Sequence, residues 1–417
     1  MTKPIPSDPN QRIEVLDALR GFALLGIILA NILSWSGIKF MPFTQIKQWP
    51  NLNVDQFVYQ LNGFFVDTKF YTIFSLLFGM GFYIQFNKNR NNQESFMKMY
   101  YRRLSFLMLF GLIHTFFWSG DILFIYALVG FVFVQFRNFE TKKLLVIAAI
   151  AFIIPIFTNI FMLYYSPGFM VSEQRLALHT YADLTPADVI APFQHGTFWE
   201  VTKANFHHVL WRYFDLMPAG RLFKIFAFFI VGFCMMDSNY FSKKSTSITL
   251  MLTYLSVGLV LTYTAKQITG SMAEFPSNWN DILYKIISSF GQVSLSFSYI
   301  SLLSMLYESN LGKKVMVGLK YVGRMSFSSY LCQTIFGIII FYPYALGYYA
   351  TMTLWQVELL GIGIYLVQIV IAVVWLKYFT FGPLEWLWRS LTYGRFLSMR
   401  KNKIISEKPN IPSPTNS

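Results

Sequence analysis

Seven polar residues stand inside or at the mouths of otherwise apolar runs, and their types are those that handle anions and protons: Asp17, Arg20, Asn31, Arg102, Arg103, His114 and Asp121. His114 is the only histidine within an apolar run, and Asp121 comes after it past a Ser119-Gly120 turn. An imidazole oriented by a carboxylate is the arrangement of a general base that deprotonates a hydroxyl or amine, because the carboxylate sets the tautomer and stabilises the imidazolium. The plainer alternative is that Asp121 only caps a helix and His114 is a satisfied interfacial residue. Ionisable groups at membrane depth cost several kcal/mol and are functional candidates by default, so His114 and Asp121 are taken as the candidate catalytic pair.

Asp17, Arg20, Asn31, Arg102 and Arg103 are the candidate substrate-binding set. The three arginines fall at the inner ends of the first and third apolar runs, where a phosphate-bearing donor from the cytosol would arrive, and a guanidinium fork suits phosphate oxygens. Positive charge there is also topogenic. Arg20 differs because Asp17 lies one turn before it, and a topogenic charge needs no partner. On a helix, Asp17, Arg20 and Asn31 fall within about 60° of one another and form a stripe about 20 Å long.

The elements that must position these residues are membrane helices. The chain has 417 residues, 55% of them hydrophobic and only 13% charged, with 44 Phe, which is too apolar for a soluble protein of this length. Apolar runs able to span about 30 Å of hydrocarbon occur near residues 21–38, 69–86, 104–118, 121–136, 144–164, 220–236, 247–265, 282–306, 325–342 and 354–378. The expected fold is all-α, a polytopic transmembrane bundle of about ten spans with interfacial amphipathic helices. Every second connection is basic, from Arg12 and Arg20 through Arg90, Arg137, Lys243, Lys244 and Lys320 to Arg400, which puts both termini on the cytoplasmic side. The net charge of +14 then reads as topology plus contact with anionic lipid; no basic groove interleaved with aromatics points to nucleic acid.

The expected divisions are residues 1–165, a five-helix membrane half; 166–219, an outer segment; 220–400, a second five-helix half; and 401–417, a disordered Pro-rich tail. The outer segment carries Phe198, Val201, Val209, Leu210, Tyr213 and Met217 at helical spacing opposite Glu200, Lys203 and His207, the pattern of a helix lying on the outer leaflet. Residues 53–67 read as a second interfacial helix. The outer histidines His179, His195, His207 and His208 lack metal-ligand spacing, and no metal is expected. Cys234 and Cys332 fall in apolar runs and read as packing residues. No cleavable signal is apparent. Helix eight is dense in serine, which suits close helix packing. Gly323-Arg324 opens helix nine with Gln333 as a buried amide in need of a partner, and Gly382-Pro383-Leu384-Glu385 starts a short interfacial helix.

These stretches in order resemble the YeiB-like family of bacterial inner-membrane proteins, a domain of unknown function. The carriers are Leu16-Asp17-Ala18-Leu19-Arg20-Gly21 with Asn31, Lys69-Phe70 leading into Phe74-Ser75-Leu76-Leu77-Phe78-Gly79, Arg102-Arg103, His114, Gly120-Asp121-Ile122-Leu123, Tyr126-Ala127, Gly323-Arg324 and Gly382-Pro383-Leu384-Glu385. That family is similar to a wider group of transmembrane acyltransferases, including the lysosomal enzyme that acetylates heparan glucosamine, whose first helix opens with a similar LDxxRG and a following Asn. The resemblance implies transfer of an acyl group from cytosolic acyl-CoA, a co-substrate and not a permanently bound cofactor, to a lipid, glycan or small-molecule acceptor in or across the membrane. The related acyltransferases carry a histidine at the position of Asn31 or near a similar Trp49-Pro50-Asn51, where this chain has none; His114 is its own candidate base. Membrane lipids are expected partners, and self-association into a homo-oligomer is left open. A transporter or a non-catalytic membrane scaffold is the alternative class; a carrier would be expected to show midplane acids and inverted repeats.

Overall fold

The computed structural model describes residues 13–41, 43–165, 186–216, 219–238, 240–243, 247–268 and 276–401. Arg12, His179, Met217, Lys244, residues 166–185 of the outer segment and nearly all of the expected tail lie outside them. The protein is all-helical; the one β-type pairing among the described residues is an isolated bridge between Phe379 and Arg400. The principal helices are α1 (Glu14–Trp35), α2 (Leu52–Leu61), α3 (Lys69–Lys88), α4 (Gln93–Phe117), α5 (Leu123–Phe133), α6 (Thr141–Tyr165), α7 (Pro186–His195) and α8 (Phe198–Asp215). They continue with α9 (Arg221–Asp237), α10 (Ile248–Gln267), α11 (Trp279–Glu308), α12 (Val317–Arg324), α13 (Ser326–Phe341), α14 (Leu354–Tyr378) and α15 (Pro383–Tyr393).

A helix stands at each of the ten apolar runs. By length and composition, five among the described residues could cross a membrane, α1, α6, α10, α11 and α14, or six if α12 and α13, which meet at an 89° bend, form one broken span. Small residues set the crossings. A Cβ on Gly21 would lie 2.0 Å from the Leu319 carbonyl oxygen, and one on Gly323 would lie 1.7 Å from that of Asp17, so the LRG and GR motifs are two sides of the α1–α12 contact. Gly79 and Gly232 do the same for α3 against α9. The serines of α11 obey this logic too, Ser294 donating to the Tyr254 carbonyl (2.7 Å) and Ser296 to that of Lys69 (3.2 Å).

The bend before α13 is stabilised by Glu385. Its carboxylate accepts from the Phe327 N–H (2.7 Å), the Ser328 N–H (3.1 Å) and the Ser328 hydroxyl (2.5 Å), satisfying first-turn donors and complementing the helix dipole. The sequence suggests Glu385 for the dipole of its own helix; the structure directs its oxygens to α13 instead. Gln333 finds its partners in the Leu24 carbonyl (3.2 Å) and Gln368 (3.1 Å), tying α13 to α1 and α14.

Candidate functional site

The site is built on one seam of α4. Tyr100, Leu104, Leu107, Gly111, His114 and Trp118 recur at alternating spacings of four and three and are all buried, the spacing that keeps residues on one helix face. Gly111 admits the backbone of α5, since a Cβ there would sit 2.3 Å from the Phe124 nitrogen. At the turn, a Cβ on Gly120 would meet the Trp118 ring at 1.9 Å. The chain therefore folds back tightly enough for Asp121 to reach His114.

His114 Nδ1 lies 2.7 Å from Asp121 Oδ1, and Asp121 Oδ2 accepts from the Phe124 N–H at 2.8 Å. The carboxylate thus caps α5 with one oxygen and orients the imidazole with the other. On the far side of the ring, His114 Nε2 lies 2.8 Å from the Thr334 hydroxyl of α13. An ionised Asp121 takes the Nδ1 proton as a hydrogen-bond acceptor, which leaves the Nε2 lone pair to accept from Thr334. His114, Asp121 and Thr334 are 6%, 3% and 2% exposed. Aromatic rings wall this string: Tyr330 and Trp118 have centroids 5.3 Å and 5.7 Å from that of His114, and Trp118 packs on Trp35 at 4.8 Å.

Helices α7 and α8 pack against the site. Ile190 and Phe193 of α7 and Val201 of α8 join the apolar cluster that contains Trp118, Leu123 and Tyr330. Asn205 clamps the α4–α5 turn, accepting from the Ser119 N–H (2.7 Å) and donating to the carbonyls of Thr115 (3.0 Å) and Phe116 (3.2 Å). The buried face of α8 carries Val201 and Val209, as the hydrophobic spacing indicates, together with Asn205 and His208, while Leu210 is 40% exposed; the two polar residues are the part of this face that spacing alone does not reveal. His208 lies against Phe40 (4.5 Å) and Phe193 (5.3 Å), and burial, with Lys39 and His207 adding positive charge, pushes its imidazole down to about 3. Among the described residues no group of three or more His, Cys, Asp or Glu could hold a metal.

In the first turns of α1, Arg20 Nη1 pairs with Asp17 Oδ1 at 2.6 Å. The neighbouring arginines diverge, as residues about 100° apart on a helix must. Arg103 turns inward, its guanidinium 3.6 Å from the Trp388 ring centre, and Trp388 donates to the Arg103 carbonyl at 2.9 Å. Arg102 is exposed over Phe106 at 5.7 Å. Arg20 is close enough for its charge to act on Arg103, and no carboxylate lies within ion-pair distance of Arg103 among the described residues. Arg20 and Asn31, and likewise Arg103 and His114, are eleven residues apart, which on a helix is the same face and a rise of roughly 16 Å. Helices α1 and α4 approach each other at Trp35 and Trp118, whose ring centroids are 4.8 Å apart, and the charge of Arg20 reaches Arg103.

Between those levels Leu24, Ile28 and Leu107 belong to one apolar cluster. Asn31 shares a face with Leu24, Ile28 and Trp35, which are at most 1% exposed, yet it is only partly buried and its side chain makes no hydrogen bond with a described residue. Asn31 is therefore a polar side chain without a hydrogen-bond partner among the described residues on an otherwise buried apolar face.

Sequence reasoning does not identify Thr334, which is 220 positions from His114; the only available signal is its place beside Gln333 in the motif that begins at Gly323. It names Lys69 in a motif but gives it no role, and the structure buries it fully with its ammonium 2.8 Å from the Gly63 carbonyl; nor does it assign a role to Glu358, which accepts from Asn62.

A family model described as "Protein of unknown function (DUF418)" matches residues 235–395. Over 405 residues the chain is 31% identical to the uncharacterized protein YxaH of Bacillus subtilis (strain 168), covering 93% of this chain and 96% of that one. It is 28% identical over 400 residues to an uncharacterized 39.9 kDa protein in the amylase 3′ region of Bacillus acidopullulyticus, with 93% and 95% covered. It is 27% identical over 403 residues to the uncharacterized protein YeiB of Escherichia coli (strain K12), with 92% and 96% covered. No solved structure matches the chain. End-to-end similarity of this extent makes this all-helical chain a member of the YeiB-like (DUF418) family, a domain of unknown function.

Proposed function

We propose that the protein is a membrane-embedded acyltransferase of the bacterial cytoplasmic membrane, multi-pass with about ten spans and both termini inside, moving an acyl group from cytosolic acyl-CoA to an acceptor in or across the membrane. The observation that carries this reading is the hydrogen-bonded string Asp121–His114–Thr334 at 2.7 and 2.8 Å, standing roughly 16 Å along one helix face from Arg103, which has no carboxylate within ion-pair distance among the described residues. Arg20 and Arg103 would hold the donor's phosphates, with the exposed Arg102 adding charge at the mouth. The pantetheine arm would extend between α1 and α4 past Asn31, bringing the thioester to His114. There Nε2 takes a proton from the attacking hydroxyl or amine, Asp121 stabilises the imidazolium, and the same proton passes to the leaving thiolate. Envelope lipids, glycans or small outer molecules are the acceptor classes.

The test is to incubate the purified protein in lipid with labelled acetyl-CoA and longer acyl-CoAs and track label into protein, lipid or an added acceptor. Movement of label with release of free thiol supports the reading; no movement with any donor overturns it. A transporter is the second reading, and the 89° break between α12 and α13 favours it, because discontinuous helices build many solute sites. Solute flux that survives Arg103→Gln and His114→Ala would decide for that alternative.

A further inference from the structure

We infer that Thr334 is the covalent relay of the transfer, the acyl group passing through an ester on its hydroxyl before it reaches the acceptor; this rests on the acyltransferase reading above. Hydroxyls on the helices of this chain normally fold back onto the carbonyl one turn before. Thr72, Ser75, Ser105, Thr115 and Thr202 all donate to the residue four positions earlier, at 2.7 to 3.0 Å, the usual local bond of such residues. Thr334 makes no such bond. Its one hydrogen bond to a described residue is with His114 Nε2, so its proton already points at the base. Carboxylate to Nδ1 and Nε2 to hydroxyl is the order of groups that activates an alcohol as a nucleophile, and it is recognised by geometry on any fold.

The two half-reactions balance without a further reagent. In the first, Thr334 Oγ1 attacks the thioester carbonyl as His114 Nε2 takes the hydroxyl proton; the C–S bond breaks and the thiolate leaves with that proton, forming the O-acyl ester and free CoA. In the second, His114 takes a proton from the acceptor's hydroxyl or amine, the acceptor attacks the ester carbonyl, and the proton returns to Thr334 Oγ1. The candidate donor for the developing oxyanion is the Asn31 amide. Gly337, one turn beyond Thr334, abuts Trp35, where an added Cβ would fall 2.6 Å from the indole; Asn31 lies one turn before Trp35, with its amide unbonded to any described residue. Exposures of 2% for Thr334 and 6% for His114 keep water from the ester, which a stored acyl group requires.

The experiment uses the purified full chain in lipid with acyl-CoA and labelled CoA but no acceptor, reading acyl-CoA–CoA exchange and mapping any adduct by peptide mass. The expected result is exchange by the wild type, an acyl adduct on Thr334, loss of exchange by at least about 100-fold in Thr334→Val, and retention within about tenfold in Thr334→Ser. An adduct on His114, or exchange at the wild-type rate in Thr334→Val, overturns the inference. So does overall transfer to an acceptor with no exchange, and in each of these outcomes the acyltransferase reading stands. A wild type that neither exchanges nor transfers label from any donor overturns both. Should Thr334→Val fail to fold, the Thr334→Ser rate and the wild-type adduct site still decide.

Discussion

Asp121→Asn keeps the shape of a buried side chain while removing its charge, and the site geometry dictates how the protons rearrange. The amide oxygen takes the place of Oδ2 and keeps the bond from the Phe124 N–H, which is 2.8 Å in the native protein. The amide NH2 then faces His114 Nδ1 and donates to it. His114 must carry its proton on Nε2, facing Thr334, and can no longer act as a base toward that side. By analogy with other carboxylate-to-amide changes behind a catalytic histidine, transfer should fall about 10³- to 10⁴-fold, or roughly 4 to 5.5 kcal/mol at 1.36 kcal/mol per decade. Stability should fall by only about 1 kcal/mol, because both partners remain bonded. Asp121→Ala differs: it leaves the His114 Nδ1–H and the Phe124 N–H unpaired in a site only a few per cent exposed, at about 1–3 kcal/mol each. Label transfer read beside thermal unfolding in detergent separates the two, Asn losing activity alone and Ala losing both. If Asp121→Asn transfers within about threefold of the wild type, the tautomer argument fails and Asp121 is only a helix cap.

Neighbouring geometry supports three other predictions. Gly111→Ala would place a methyl 2.3 Å from the Phe124 nitrogen, separating α4 from α5 by about 1 Å at a cost of about 1–3 kcal/mol and breaking the Asp121 cap; a melting temperature equal to that of the wild type would refute it. Arg103→Gln should raise the donor KM roughly 10- to 100-fold, the value of one charge-assisted phosphate contact, with kcat little changed, whereas Arg102→Gln should leave both near the wild-type values; equal effects of the two would refute the assignment. His208, held down to about 3 by burial against about 6.5 in the unfolded chain, takes up a proton on unfolding. Its stabilising effect is complete above about pH 6.5 and falls as pH drops toward 3, by about 2 kcal/mol at pH 5. His208→Gln should flatten that part of the pH–stability curve; an unchanged curve would contradict it.

A helix at each of the ten apolar runs was legible from length and apolarity, although by the same criteria only five or six of the described helices could cross a membrane. The contact of His114 with Asp121 was legible as well, since seven residues with a glycine turn between them leave little freedom. Thr334 was not, because a partner 220 positions away leaves no local periodicity. The same holds for Glu385, whose bonds to Phe327 and Ser328 span 58 and 57 positions. Arg102 and Arg103 are equivalent as letters; Trp388, placed by α15 against α4, distinguishes them. On α8, Val201 and Val209 were legible as buried from their spacing, whereas Asn205 and His208 on the same face were not, being polar residues matched to backbone groups and rings that only the tertiary fold brings near.

The central claim is that His114 performs acyl transfer while the donor is held elsewhere. Wild type and His114→Ala, purified in lipid, should be compared for acyl-CoA binding and for transfer of label in the same preparation. The account predicts equal binding with transfer abolished in the variant; transfer unchanged in His114→Ala would contradict it.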